Sequence, residues 1–218
     1  MAKNTELVFI LDKSGSMGGL EEDTIGGYNS FLKKQQELAD ETRITTVLFD
    51  NNYELLHDRL DLKAVSAITK KDYFVGGSTA LLDAIGKTIH KVENVQKRSG
   101  KKYKPTKILF VITTDGMENS SREYSFKKIK AIVESKKEEG WEFIFLGANI
   151  DAIDVAGNIG IAPNRAAKYF ADSKGLDKVF DVVGSAVSNF CITTADSLND
   201  DWAEEIEKDY AEREKEKN

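Results

Sequence analysis

With 218 residues, of which 40% are hydrophobic and 31% charged, the chain has room for one sizeable domain with a buried core and is short for two. Its formal net charge of -6 argues against a broad attraction to nucleic acid, so no nucleic-acid partner is expected. The single cysteine, Cys191, excludes an intrachain disulfide, and in the apolar stretch Ser188-Asn189-Phe190-Cys191-Ile192 it reads as a small hydrophobe. No apolar run reaches the length of a membrane span, and the short apolar segment near the N-terminus lacks a small-residue cleavage site. No membrane partner and a cytoplasmic location are therefore expected.

In chain order, the first element is a nearly unbroken apolar run at residues 7–11. Short runs of this kind, rich in β-branched and aromatic residues, read as strands buried on both faces. Ile25, Tyr28, Phe31, Leu32 and Leu38 then share one face of a helix predicted over 24–39. A second strand is predicted at 44–49, and 53–62, preceded by Asn51-Asn52, reads as an edge hairpin. Leu81, Ile85, Ile89 and Val92 mark a helix beginning near Thr79. A third buried strand lies at 108–112, after the bunched lysines Lys101, Lys102, Lys104 and Lys107, which read as solvating a strand end. Phe126, Ile129, Ile132 and Val133 give the next helix, with Ser125 as N-cap. Strands at 143–146 and 166–170 follow, and then an apolar helix carrying Leu176, Val179, Phe180, Val183, Val187 and Phe190. Strands alternating with helices predict an α/β, Rossmann-like fold: a mainly parallel central sheet with an antiparallel edge strand and helices on both faces. Residues 196–218 form a charged tail whose Trp202, Ile206 and Tyr210 draw a narrow stripe on a helix. The expected division is a domain at 1–195 and this tail, docked lightly on it or fraying from it.

The chemistry gathers at the predicted carboxyl ends of strands. Asp12-Lys13-Ser14-Gly15-Ser16-Met17-Gly18-Gly19 follows the first strand, Thr113-Thr114-Asp115-Gly116 follows the 108–112 strand, and Gly76-Gly77-Ser78-Thr79 opens a helix between them. In open α/β sheets, ligands bind outside the carboxyl ends of the strands. Carboxylates from Asp12 and Asp115 with hydroxyls from Ser14, Ser16 and Thr79 form a set of hard oxygen donors, suited to Mg2+, Mn2+ or Ca2+ and not to zinc or copper. Alternation at 12, 14 and 16 suits a loop that curls round an ion and turns every second side chain inward.

These residues closely resemble the metal-ion-dependent adhesion site of the von Willebrand factor type A family. Its signature, Asp-x-Ser-x-Ser, then a distant Thr, then Asp-Gly, stands here as Asp12-Lys13-Ser14-Gly15-Ser16, Thr79 and Asp115-Gly116. The resemblance spans about residues 5–192 and implies metal at the top of the sheet. It also implies a partner protein whose Asp or Glu completes the metal's shell, and a role as a binding module, not an enzyme.

Other readings of the same residues are weaker. A haloacid-dehalogenase-like, magnesium-dependent phosphatase would also place an Asp after its first strand. It wants a second Asp two residues on, where Ser14 stands, and its later acidic pair would have to be Asp151 and Asp154. No Walker or dinucleotide-binding glycine pattern occurs. His57 and His90 read as surface or partly packed residues. Glu21, Glu22, Asp23 and Glu118 read as favouring the N-termini of the helices that follow them. Met17 and Met117 flank the site, either as contact surface or packed beneath their loops.

Overall fold

A computed structural model of the chain describes residues 4–38, 41–100, 103–148, 150–193 and 197–217. Among these residues six strands, β1 (Asn4–Asp12), β2 (Glu41–Phe49), β3 (Tyr53–Asp61), β4 (Lys107–Thr114), β5 (Trp141–Ala148) and β6 (Ala166–Tyr169), form one sheet in the order β3-β2-β1-β4-β5-β6. Every neighbouring pair is parallel except β2 and β3. The expected α/β fold is therefore the observed one. The segment read as an edge hairpin is a single edge strand; its hairpin partner is β2, reached through the turn at 50–52.

Among the described residues, six α-helices flank the sheet: α1 (Glu21–Leu38), α2 (Leu81–Arg98), α3 (Phe126–Glu138), α4 (Ala152–Asn158), α5 (Ser173–Ile192) and α6 (Glu204–Lys217). Because side chains alternate along a strand, Leu7, Phe9 and Leu11 of β1 join one core with Tyr28, Phe31 and Leu32 of α1 and Val183 and Val187 of α5. Val8 and Ile10 join the opposite core with Leu81, Ile85 and Ile89 of α2 and Ile129 and Val133 of α3. Strands buried on both faces have no polar side to show, which is why β1 and β4 read as continuous apolar runs.

The helix predicted over 24–39 begins one turn earlier, at Glu21, and its last predicted residue, Ala39, lies outside the described residues. Ser125 accepts the main-chain N–H of Lys128 and caps α3. Residues 194–196, where the expected boundary between domain and tail falls, are also outside the described residues. The tail is not lightly docked: Trp202 and Ile206 are buried and belong to the same core as α1 and α5. The Trp202 indole N–H donates to the Asn164 carbonyl at 2.8 Å, and Tyr210 stacks on Phe170 with ring centroids 4.5 Å apart. Lys107 does not solvate its strand end. It is buried, and its ammonium donates to the carbonyls of Phe190 at 2.6 Å and Thr193 at 3.0 Å, closing the C-terminus of α5.

Candidate metal centre

Parallel pairing of β1 with both β2 and β4 sets the carboxyl ends of these strands side by side, Asp12 opposite Phe49 and Leu11 opposite Thr113. Asp12 ends β1 and is fully buried. Its Oδ1 accepts the main-chain N–H of Ser14 at 2.7 Å, a local turn that Asp side chains favour. Its Oδ2 accepts the Thr114 hydroxyl at 2.6 Å. The chain then enters a 3-10 turn at Gly15–Met17, with Met17 buried. That turn brings Ser14 Oγ and Ser16 Oγ to 3.1 Å from each other. The Ser16 hydroxyl donates to Asp115 Oδ1 at 2.5 Å.

A second loop is bolted to the first by main-chain bonds, Gly15 N–H to the Gly77 carbonyl at 3.1 Å and Gly76 N–H to the Lys13 carbonyl at 3.0 Å. Gly77 has φ +72, a conformation that favours glycine, and a Cβ there would meet Asn51 Oδ1 at 2.1 Å. Beneath both loops the buried Tyr73 donates its hydroxyl to the Asp12 carbonyl at 2.7 Å. Thr79 is held from the far side: its N–H donates to Asn119 Oδ1 at 2.9 Å, and the Asn119 N–H donates to the Thr79 carbonyl at 3.0 Å. All the residues singled out from sequence, Asp12, Ser14, Ser16, Thr79 and Asp115, thus meet at the carboxyl end of the sheet.

Their hydroxyls converge beside Gly116. A Cβ built there would stand 2.9 Å from Ser16 Oγ, 3.0 Å from Thr79 Oγ1 and 3.8 Å from Ser14 Oγ. A methyl group would fill this oxygen-lined hollow. The second oxygen of Asp115, Oδ2, is buried and has no hydrogen-bond partner among the described residues. An unpaired buried acceptor is costly unless something electropositive meets it. Burial pushes the Asp12 carboxyl up to about 6, against the lowering by hydrogen bonds from Ser14 and Thr114, and the charge of Asp115 adds to the rise. Asp115 is raised too, again chiefly by burial, with the Ser16 bond opposing. The neighbouring cation does not relieve them: Lys13 pairs with Glu54 at 2.6 Å and lies under the Phe74 ring at 4.5 Å. Two buried carboxylates and converging hydroxyls fit a hard divalent cation, which would stabilise the charged form of both acids.

The family model for the von Willebrand factor type A domain matches residues 6–182. The chain belongs to the von Willebrand factor type A family. No curated protein sequence matches it. Among solved structures it is similar to the pilus adhesin SpaC from Lactobacillus rhamnosus GG in its open conformation, at 13% identity and TM-score 0.63 over 86% of this chain and 30% of that one. It is similar to the manganese-loaded TRAP protein of Plasmodium vivax, at 19% identity and TM-score 0.59 over 82% of this chain and 74% of that one. It is also similar to proximal thread matrix protein 1 from the mussel byssus with a zinc-occupied MIDAS motif, at 16% identity and TM-score 0.57 over 86% of this chain and 46% of that one. The chain therefore spans less than half the length of the first and third of these proteins. These likenesses bear on the fold.

Several residues of this von Willebrand factor type A domain do work that their sequence position does not announce. Glu118 does not serve the helix that follows it. Its carboxylate accepts the N–H of Leu82, in the first turn of the preceding α2, at 2.9 Å, together with the N–H groups of Ser120 and Ser121. Asp83 returns the service, accepting the N–H groups of Arg122, Glu123 and Tyr124 at 3.0 Å each. Burial would raise the Asp83 carboxyl, yet these three bonds hold it below its ordinary value. Glu21, Glu22 and Asp23 do lie in the first turn of α1. Asp151 is the N-cap of α4, accepting the N–H of Asp154. Met117 is 73% exposed, unlike Met17. His57, read as surface or partly packed, is buried, with Nδ1 3.0 Å from Thr46 Oγ1. His90 lies exposed on α2 beside Tyr124.

Proposed function

We propose that this domain is a metal-dependent protein-binding module. Asp12, Ser14, Ser16, Thr79 and Asp115 would hold Mg2+, or Mn2+ or Ca2+, directly or through water. A cation there would supply a Lewis-acidic point that an Asp or Glu carboxylate of a partner protein can reach. The hollow beside Gly116, where the hydroxyls of Ser16 and Thr79 meet next to the partnerless Asp115 oxygen, carries the reading. The manganese named for one structural relative supports it, and the zinc named for another supports a divalent ion without agreeing with the preference for hard cations. Thr114 would hold the Asp12 carboxylate in one orientation, as hydrogen bonds to ligating groups commonly do. The Ser16 bond to Asp115 Oδ1 would leave that acid turned aside, tuning how much positive charge the ion keeps for a partner.

Hydrolysis of phosphate esters is the rival reading, and the residues present do not favour it. Ser14 stands where the second carboxylate is needed, and Asp151 is spent on capping α4. Net charge of -6 favours neither a nucleic-acid partner nor an acidic lipid surface, and no helix among the described residues is long and apolar enough to cross a membrane. Calorimetric titration of Mg2+ and Mn2+ into chelator-stripped protein tests the reading. Saturable binding at one site, lost in Asp12→Ala, is expected. Magnesium-dependent turnover of a generic phosphate ester that vanishes in Asp12→Asn would instead establish the phosphatase.

A further inference from the structure

Of the large apolar side chains exposed among the described residues, Phe74, Met117, Phe126 and Ile153 stand at the carboxyl end of the sheet, on the site's side of the molecule. Single exposed apolar residues are ordinary on protein surfaces. Phe74 and Met117 differ because the backbone that holds them is the backbone of the site. Met117 follows Gly116, whose α-carbon faces the Ser16 and Thr79 hydroxyls, and it is 73% exposed. Phe74 is 60% exposed yet fixed in place. Its neighbour Tyr73 is tied to the Asp12 carbonyl, Gly76 is tied to the Lys13 carbonyl, and the Lys13 ammonium lies 4.5 Å from the Phe74 ring centre. Its ring therefore stays in water as a preset surface, with little ordering left to lose on binding.

Acidic side chains near this rim are already engaged within the chain. Glu21 accepts the Gly19 N–H, Glu22 pairs with Lys70, Asp23 accepts the Ser173 hydroxyl, and Glu118 caps α2. These four carboxylates are thus taken up within the chain, and Phe74 and Met117 are the large apolar side chains that the site's own loops leave exposed among the described residues.

We infer that the partner segment carries a large apolar side chain next to its acidic residue. The carboxylate enters the hollow beside Gly116, while the apolar neighbour packs on Phe74 and Met117. This specificity rests on the metal-dependent reading of the same site. A fixed aromatic supplies a flat anchor, and a flexible methionine adapts to whatever sits beside it.

A random peptide library displayed on phage, panned against the full chain in Mn2+ and eluted with chelator, tests both levels. The selected peptides are expected to share an Asp or Glu flanked by Phe, Leu, Ile or Met. Met117→Ser should weaken the best peptide about tenfold while leaving Mn2+ affinity by calorimetry within about twofold, as loss of one packed contact implies. Phe74→Ala should weaken it at least as much, and Met117→Ser guards against any disturbance of the Lys13 loop. Acidic peptides without an apolar neighbour, or equal binding by both variants, would overturn the inference and leave the metal reading intact. Absence of Mn2+ binding to the wild-type chain would overturn both.

Discussion

The two ends of the sheet treat buried carboxylates in opposite ways. At the amino ends of the strands, buried and half-buried charged groups are met within the chain. Glu6 on β1 is held by Arg59 of β3 at 2.8 Å, Lys107 closes α5, and Arg165 bonds Glu142, Asp200 and the Leu198 carbonyl. At the carboxyl ends, Asp12 and Asp115 are buried with hydroxyls and N–H groups for company, and one Asp115 oxygen has no partner among the described residues. Charge is neutralised by ion pairs at one end, and a pair of buried carboxylates stands at the other, where parallel sheets bind their ligands. Substitutions at the two ends should therefore fail in different ways.

The largest stability effect is expected from Trp202→Ala. It removes a buried indole from the α1/α5 core together with its bond to Asn164, and should cost roughly 4 kcal/mol in chemical denaturation, with metal affinity unchanged. A loss under about 1 kcal/mol would show the tail to be a loose appendage after all.

Arg59→Ala comes next, since it strands a buried carboxylate, and should cost about 3 kcal/mol at neutral pH. Its pH dependence is diagnostic. Burial holds the Glu6 carboxyl above its ordinary value even with Arg59 present. A carboxyl raised in the folded state favours folding below its unfolded pKa, and that benefit is lost as pH rises through the folded value. Removing Arg59 raises the folded value further. The gap between variant and wild type should then shrink steadily from about pH 7 toward about pH 4; a gap independent of pH would mean that the pair is not what matters there.

Glu118→Ala should cost about 1 kcal/mol through the lost cap on α2. It should also weaken Mn2+ binding several-fold, because the same loop positions Thr79 through Asn119. Differential scanning calorimetry and metal titration on one sample separate the two effects. The smallest stability change is expected from Gly116→Ala, under about 1 kcal/mol, since its backbone φ is not positive and loss of chain freedom in the unfolded state partly offsets the contact. Its metal binding should nevertheless be abolished, because the methyl occupies the hollow between Ser16 and Thr79.

Much of this was legible in the residues. The apolar runs of β1, β4 and β5 announced a sheet covered on both faces, and the sheet is mainly parallel with an antiparallel edge strand, as expected. The acidic and hydroxyl residues later found together stood after strands in an interrupted but recognisable pattern. What escaped was non-local or weakly patterned. Helix α4 has only 7 residues and is rich in Ala and Gly, too short and too small-sided to show a period. Glu118 and Asp83 cap segments 36 to 41 residues away, which no local spacing reveals. Thr114 lies inside an apolar strand, and only the β1–β4 register brings its hydroxyl to Asp12. The Trp202 stripe showed a face without showing the α5 surface that covers it.

The most direct test of the central claim is anomalous diffraction from crystals grown with Mn2+. One manganese peak is expected in the hollow beside Gly116, within coordination distance of the Ser14 and Ser16 hydroxyls. Full anomalous signal elsewhere, or an empty hollow at saturating Mn2+, would contradict the account and leave the converging oxygens as a purely structural knot.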